Sequence, residues 1–218
     1  MRVVMAGALV LGLMLVLAPM VAAEPSLNGY TGLIFAPTAS VAPLKHVEAG
    51  LNTRELEDFD TVTWLANYGA NERLEIGFAA IELPGDHQDT VVSGKYVLRQ
   101  ESGDRPAIAA GVFDFTDAID ATAYIAVSRS FGRKVGEIRG RETKLLRAHG
   151  GFGGGFIDGI FLAGELQVGK EVTAQIEWLS DDFNAGAILR PCKHLSVGAA
   201  WINFEDLAAT ASVTFQLK

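Results

Sequence analysis

The chain has 218 residues, a net charge of -8, 24 glycines and a single cysteine, Cys192. That length suits one all-β domain rather than two separate cores, and the lone cysteine excludes an intramolecular disulfide. The acidic balance argues against nucleic acid as a partner. The glycines are scattered through apolar segments instead of being gathered into a linker.

Taken in order, Met1 and Arg2 precede an apolar run from Val3 to Val21 that ends Val21-Ala22-Ala23. A charged start, an apolar core and a small-residue ending predict a secretory signal peptide over residues 1–23, cut after Ala23. The competing reading is a retained membrane anchor, because the apolar run is long enough to span a bilayer. An exported protein without disulfides depends on its core, a partner or lipid for stability. Residues 24–45 contain the stretch Asn28 to Ala39, which is apolar and limited by proline, and so makes a poor central strand. It is expected to pack inside or across a sheet.

Residues 46–218 read in steps of two. Val172, Ala174, Ile176 and Trp178 alternate with Thr173, Gln175 and Glu177, and Ala211, Val213, Phe215 and Leu217 alternate with Ser212, Thr214 and Gln216. A period of two with one apolar face signals a strand, because successive side chains leave opposite faces of the pleat. Twelve strands are predicted, over 46–53, 61–68, 74–81, 90–99, 107–113, 121–131, 145–152, 159–168, 172–178, 184–190, 195–202 and 210–217. On the second to fourth, Val62, Trp64, Ala66 and Tyr68, then Ile76 and Phe78, then Val92, Tyr96 and Leu98 share one face.

The connections differ in charge by parity. Odd-numbered connections carry Arg54 against acidic residues only, among them Glu57, Asp58, Asp117, Asp181, Asp182, Glu205 and Asp206. Even-numbered ones are mainly basic, with Arg73, Arg99, Arg105, Lys170, Arg190, Lys193 and the run 132–144 carrying Arg133, Lys134, Arg139, Arg141 and Lys144. Antiparallel strands put odd and even connections at opposite ends, so the ends face different surroundings. That run could dock an acidic periplasmic partner or anionic polymer, or simply be solvated. An even number of exported, disulfide-free alternating strands predicts an antiparallel up-and-down transmembrane β-barrel of about twelve strands, occupying residues 46–218 in outer-membrane lipid. Closure satisfies every ladder group, as hydrocarbon requires. Trp64, Tyr68, Phe131, Phe152, Trp178 and Trp201 fall near predicted strand ends, where aromatic girdles sit. The alternative is a soluble periplasmic barrel that binds a lipid or glycan.

Two stretches also carry a family resemblance. Asn28-Gly-Tyr-Thr-Gly-Leu-Ile-Phe-Ala-Pro-Thr-Ala39 with Glu48-Ala-Gly-Leu-Asn52 resembles the N-terminal signature of YjbH-type proteins. Gly164-Glu165, Glu177-Trp-Leu-Ser-Asp181 and Asn184-Ala-Gly-Ala-Ile188 are similar to late strands of that family. The resemblance implies an outer-membrane barrel, here a single module, associated with exopolysaccharide production or export and with polysaccharide-export components as partners.

Lys95, Arg147, His149, Glu165 and Glu177 fall on the predicted inner face. They read either as a lumen that passes a polar solute or as a paired network that fills a small barrel, since buried charges require partners. Glu165 and Glu177 sit on neighbouring strands, yet no cleft-forming insertion accompanies them, so glycosidic hydrolysis is not expected. His46, His87, His149 and His194 have no spaced Ser or Asp that makes a recognisable catalytic motif. The run Gly150 to Gly155 lacks the Gly-Lys-Ser/Thr ending of a phosphate loop. No catalytic residue, cofactor or metal is expected.

Overall fold

The computed structural model describes residues 24–55, 60–83, 87–138, 141–168 and 171–217. Residues 1–23, read as a signal peptide, and the acidic pair Glu57 and Asp58 lie outside the described residues. Twelve strands run in sequence: β1 (His46–Glu55), β2 (Asp60–Gly69), β3 (Leu74–Leu83), β4 (His87–Arg99), β5 (Ala107–Phe113), β6 (Thr122–Ile138), β7 (Arg141–Gly153), β8 (Gly159–Val168), β9 (Val172–Leu179), β10 (Asp182–Cys192), β11 (Leu195–Ile202) and β12 (Asp206–Gln216). Each pairs antiparallel with its neighbours, and β1 pairs β12 from His46 opposite Gln216 to Arg54 opposite Ala208. The sheet is a closed barrel with no edge strand left to pair elsewhere.

Burial is inverted relative to a soluble barrel. On β9, Thr173, Gln175 and Glu177 are buried while Ile176 and Trp178 are exposed. On β2, Thr63 and Asn67 are buried while Trp64 is exposed. Ile76, Phe78, Leu98, Phe152, Ile160, Leu162 and Trp201 also face outward, and Glu48, Glu75, Lys95, His149 and Asn184 face inward. An apolar band of this extent belongs against hydrocarbon. It rules out the soluble alternative, which needs the opposite disposition. Trp178 and Trp201 lie at the odd end and Tyr68 and Phe131 at the even end, but Trp64 sits mid-strand opposite Leu51 and Ala80. Its indole donates to Glu82 Oε1 at 3.0 Å.

Several strands run past their apolar stretch. The described residues of the run 132–144 are strand, not loop: β6 and β7 stay paired through Glu137 opposite Glu142 and Ile138 opposite Arg141, with register shifts near Lys134. β4, β10 and β12 likewise begin two to four residues earlier than hydropathy alone predicts. The physical reason is common to all. Ladder bonds continue into water, where outward side chains have no need to be apolar, so the hydropathy signal stops before the strand does.

Residues 24–43 lie inside the barrel, and Leu44 and Lys45 are exposed where the segment leaves it. Tyr30, Leu33, Ile34, Ala36, Val41 and Ala42 are almost fully buried. The segment folds back on itself, with Leu27 N–H donating to Ile34 O at 2.8 Å and Leu33 N–H to Ala36 O at 2.9 Å. It leaves past Gly69, where a Cβ would lie 2.0 Å from Pro43 O, so only glycine lets the segment approach β2 this closely. Tyr30 meets Phe113 and Tyr124 at centroid distances of 5.5 and 5.9 Å, and Phe35 meets Phe156 at 5.7 Å. These contacts join the segment to a cluster with Phe161, Leu179 and Ile202.

At the odd end, Asp114 (φ 60°) makes the turn after β5. Its carboxylate accepts from Thr116 Oγ1 at 2.6 Å, Ile119 N–H at 2.6 Å and Asp120 N–H at 3.1 Å. Burial alone raises its pKa, but the bonds from Thr116 and the loop amides outweigh that, and the net shift is downward. A depressed folded pKa gives stability that is complete above the unfolded value and is lost as pH falls through the folded one. We expect the wild type to melt above Asp114→Asn at pH 7. The gap should close as pH falls below about 4, the ordinary range of an Asp carboxyl, measured as thermal midpoints in detergent.

Candidate functional site: the barrel interior and its N-terminal plug

An inserted segment without a sheet of its own has amide groups that need acceptors. The wall supplies them as carboxylates. Glu177, on the inward face of β9, accepts Phe35 N–H on Oε1 at 2.8 Å, and Ile34 and Ala36 N–H on Oε2 at 3.2 and 2.8 Å. Asn184 of β10 steadies it with a bond of 3.0 Å. Three successive amides converging on one anion form a backbone nest. Glu75 of β3 does the same for both limbs of the segment, accepting Thr31 N–H at 2.8 Å and Ala42 N–H at 2.6 Å. The Thr31 hydroxyl also donates to it. Bonds of this kind to a charged acceptor are about twice as strong as neutral ones.

The wall also supplies donors. Lys95 of β4 lies 3.7 Å from Glu75 and donates to Thr31 O and, at 3.3 Å, to Thr38 O. Asn52 of β1 donates to Leu27 O at 2.9 Å. Arg190 of β10 pairs with Glu24 at the even end. Arg147 of β7 reaches Ser40 Oγ at 3.0 Å and Glu165 at 3.3 Å.

All five inner-face candidates point inward, but they form three groups. Lys95 works with Glu75. Arg147, His149 and Glu165 make one cluster, with His149 Nε2 2.9 Å from Glu165 Oε1. Glu177 stands apart and bonds the plug. Glu75, Ser128, Asn52 and Asn184 belong to the site although sequence reasoning did not single them out. Parity gives Glu75 away in retrospect: with Ile76 and Phe78 outward it had to face inward, directly opposite Lys95.

The absence of a spaced Ser partner for histidine in the sequence does not carry into space. Ser128 Oγ lies 2.7 Å from His149 Nδ1, which gives a Ser128–His149–Glu165 chain. The residues are 21 and 16 positions apart and meet only because β6, β7 and β8 are adjacent. Ser128 Oγ is also the acceptor for Ala39 N–H at 2.8 Å. The chain therefore ends on the plug backbone and braces it. Among the described residues, no three His, Cys, Asp or Glu side chains converge in a way that could hold a metal ion.

No protein-family model and no curated protein matches the chain. Solved structures do. The KdgM porin aligns with a TM-score of 0.55 at 11% identity, over 78% of this chain and 99% of the porin. The KdgM porin in complex with disordered oligogalacturonate aligns with 0.53 at 11% identity, over 79% and 99%. The Acinetobacter baumannii outer membrane protein Omp33 gives 0.47 at 10% identity, over 79% and 98%. The fold is that of an outer-membrane porin. At these identities the likeness is one of fold, and the interior described above is this chain's own.

Removing Glu177 leaves three plug amides buried without their acceptor, a loss of the kind that costs about 1–3 kcal/mol for each such group. Glu177→Ala should therefore lower the temperature at which the unboiled, fast-migrating form is lost on a gel, and should open residues 24–45 to protease. Glu177→Gln, which keeps one acceptor oxygen, should fall between it and the wild type.

Proposed function

We propose that this chain is a non-catalytic outer-membrane β-barrel, closed at rest by its N-terminal segment, that passes small polar solutes when the segment yields and serves exopolysaccharide production or export. The observation that carries the reading is the set of amides held by Glu177 and Glu75: the wall is built to receive this segment and, by the same bonds, to release it. The apolar band and porin fold support insertion in the outer membrane. The contrast between acidic odd connections and basic even ones supports an acidic outer end. Glu24 lies at the even end against Arg190, so a chain cut after Ala23 would begin on the periplasmic side.

Two observations bear on the solute. The KdgM porin, which shares the fold, has been solved with oligogalacturonate, and this favours an oligosaccharide as the solute class. The residues that resemble YjbH-type proteins, Asn28 to Ala39, are those of the plug itself, which favours an exopolysaccharide setting over general uptake.

Conductance in planar bilayers tests the gate. The wild type should be silent or open rarely. The double variant Glu75→Ala, Glu177→Ala should open more often, and removal of residues 24–43 should give steady current from a barrel that still shows heat-modifiable mobility. A folded, plug-deleted barrel without current, or a wild type as open as the deletion, would overturn it. Unchanged polymer secretion in cells lacking the protein would remove the exopolysaccharide role.

A further inference from the structure

The lipid-facing wall is uneven over β3 to β7. Small outward residues thin the band in two places: Ala174, Ala187, Ala199 and Ala209 lie opposite one another across β9 to β12, and here Gly94 of β4, Ala110 of β5 and Ala123 of β6 face outward on three adjacent strands. Gly94 lies opposite Val112 and Ala110 opposite Tyr96, and Val112 in turn lies opposite Ala123. Around this low floor stand Tyr96 and Phe152, both well exposed, with Phe115 above them. The result is a groove of about 610 Å³ lined almost wholly by apolar atoms. Phe115 does not belong to a strand. The Asp114 turn folds it down onto the wall, its N–H donates to Val92 O at 2.7 Å, and its ring lies 3.2 Å from where a Gly94 Cβ would be. A loop residue thus packs onto the floor at Gly94 and walls the groove at its odd end.

At the even end the same strands turn from apolar to basic. Arg99 pairs with Ile108, whose other neighbour is Val127, and Arg129 lies one outward position beyond Val127 on β6. Both guanidinium groups therefore flank β5 on the outer face, below the groove. Arg99 is fixed by an Nε–H bond to Pro106 O at 3.0 Å. Arg129 lies over the Phe131 ring at 5.5 Å and reaches Asp104 at 3.1 Å. Asp104 is fully exposed, so a phosphate can compete for Arg129 without leaving a buried acid behind. Tyr96 is three residues from Arg99, about 10 Å along a strand. That spacing suits a headgroup at the polar rim and an acyl chain in the band.

The geometry points to a site for one anionic diacyl phospholipid, its phosphate on Arg99 and Arg129 and an acyl chain in the groove beside Phe115, over Ala110 and Ala123. Lipid is the occupant favoured because the groove opens only onto hydrocarbon, and the two cations sit at headgroup depth, where planar, weakly hydrated guanidinium groups bind phosphate well. The site rests on insertion of the barrel and not on movement of the plug.

Native mass spectrometry of the full chain in detergent, titrated with phosphatidylglycerol and with phosphatidylcholine, tests it. The wild type should retain one phosphatidylglycerol in preference to phosphatidylcholine. Arg99→Gln with Arg129→Gln should weaken phosphatidylglycerol about tenfold, towards the zwitterionic lipid, a loss of about 1.4 kcal/mol. Ala110→Trp, which fills the floor, should lose the retained lipid, whereas Ala187→Trp on β10, half the circumference away, should keep it. Equal retention by all of these variants, each still heat-modifiable, would overturn the site. So would dimerisation of the wild type that Ala110→Trp abolishes, since the groove would then seat a second copy.

Discussion

Hydrocarbon offers no hydrogen bonds, and the rest of the structure follows from that constraint. Every strand amide in the band must pair within the sheet, so the sheet closes, β1 on β12. Closure creates an interior, and alternation decides its chemistry: side chains that cannot face lipid face inward. The interior of this barrel consequently gathers buried polar and charged groups beside an apolar cluster of Phe113, Phe161, Leu179 and Ile202, and the polar groups must be met by matched partners or by water. Here the chain fills it with its own N-terminal segment.

The plug differs from ordinary core because its backbone pairs with side chains. A strand satisfies its amides through a neighbour's carbonyls. Residues 31–42 satisfy several of theirs through Glu177, Glu75 and Ser128. A carboxylate can bind several donors at once and is easily resolvated, unlike a buried carbonyl in a ladder. The segment is therefore held by side chains of the wall, while the ladder bonds of the wall do not depend on it.

Much of this was legible in the sequence, because the bilayer simplifies the code. Outward positions of β2, β3, β4 and β9 had to be apolar, so parity located Lys95 and Glu177 on the inner face, and three strands, β5, β8 and β11, match their predicted bounds. Legibility failed where lipid ceased to matter. The paired arm beyond Phe131 looked like a basic loop, since strands in water need no apolar face. Parity also says nothing of which inner groups meet across the lumen. Ser128 meets His149 through register, whereas Glu177 meets Phe35 through the path of a segment that has no periodicity.

The interior charges differ in what holds them. Glu75 has Lys95, Glu165 has Arg147, Glu24 has Arg190 and Asp206 has Arg54. Among the described residues no cation lies within ion-pair distance of Glu177, whose partners are Asn184 and the plug amides. If the plug leaves and nothing replaces it, a buried carboxylate is stranded with one amide, which is far costlier than the bonds broken. Water must therefore enter as the segment moves. On the proposed gating, the plugged barrel therefore exchanges with a hydrated one and not with an empty, dry lumen. Any ligand that shifts it must bind one condition better than the other. On the same proposal, a polar solute that hydrogen-bonds the exposed wall would do so, and an apolar one would not.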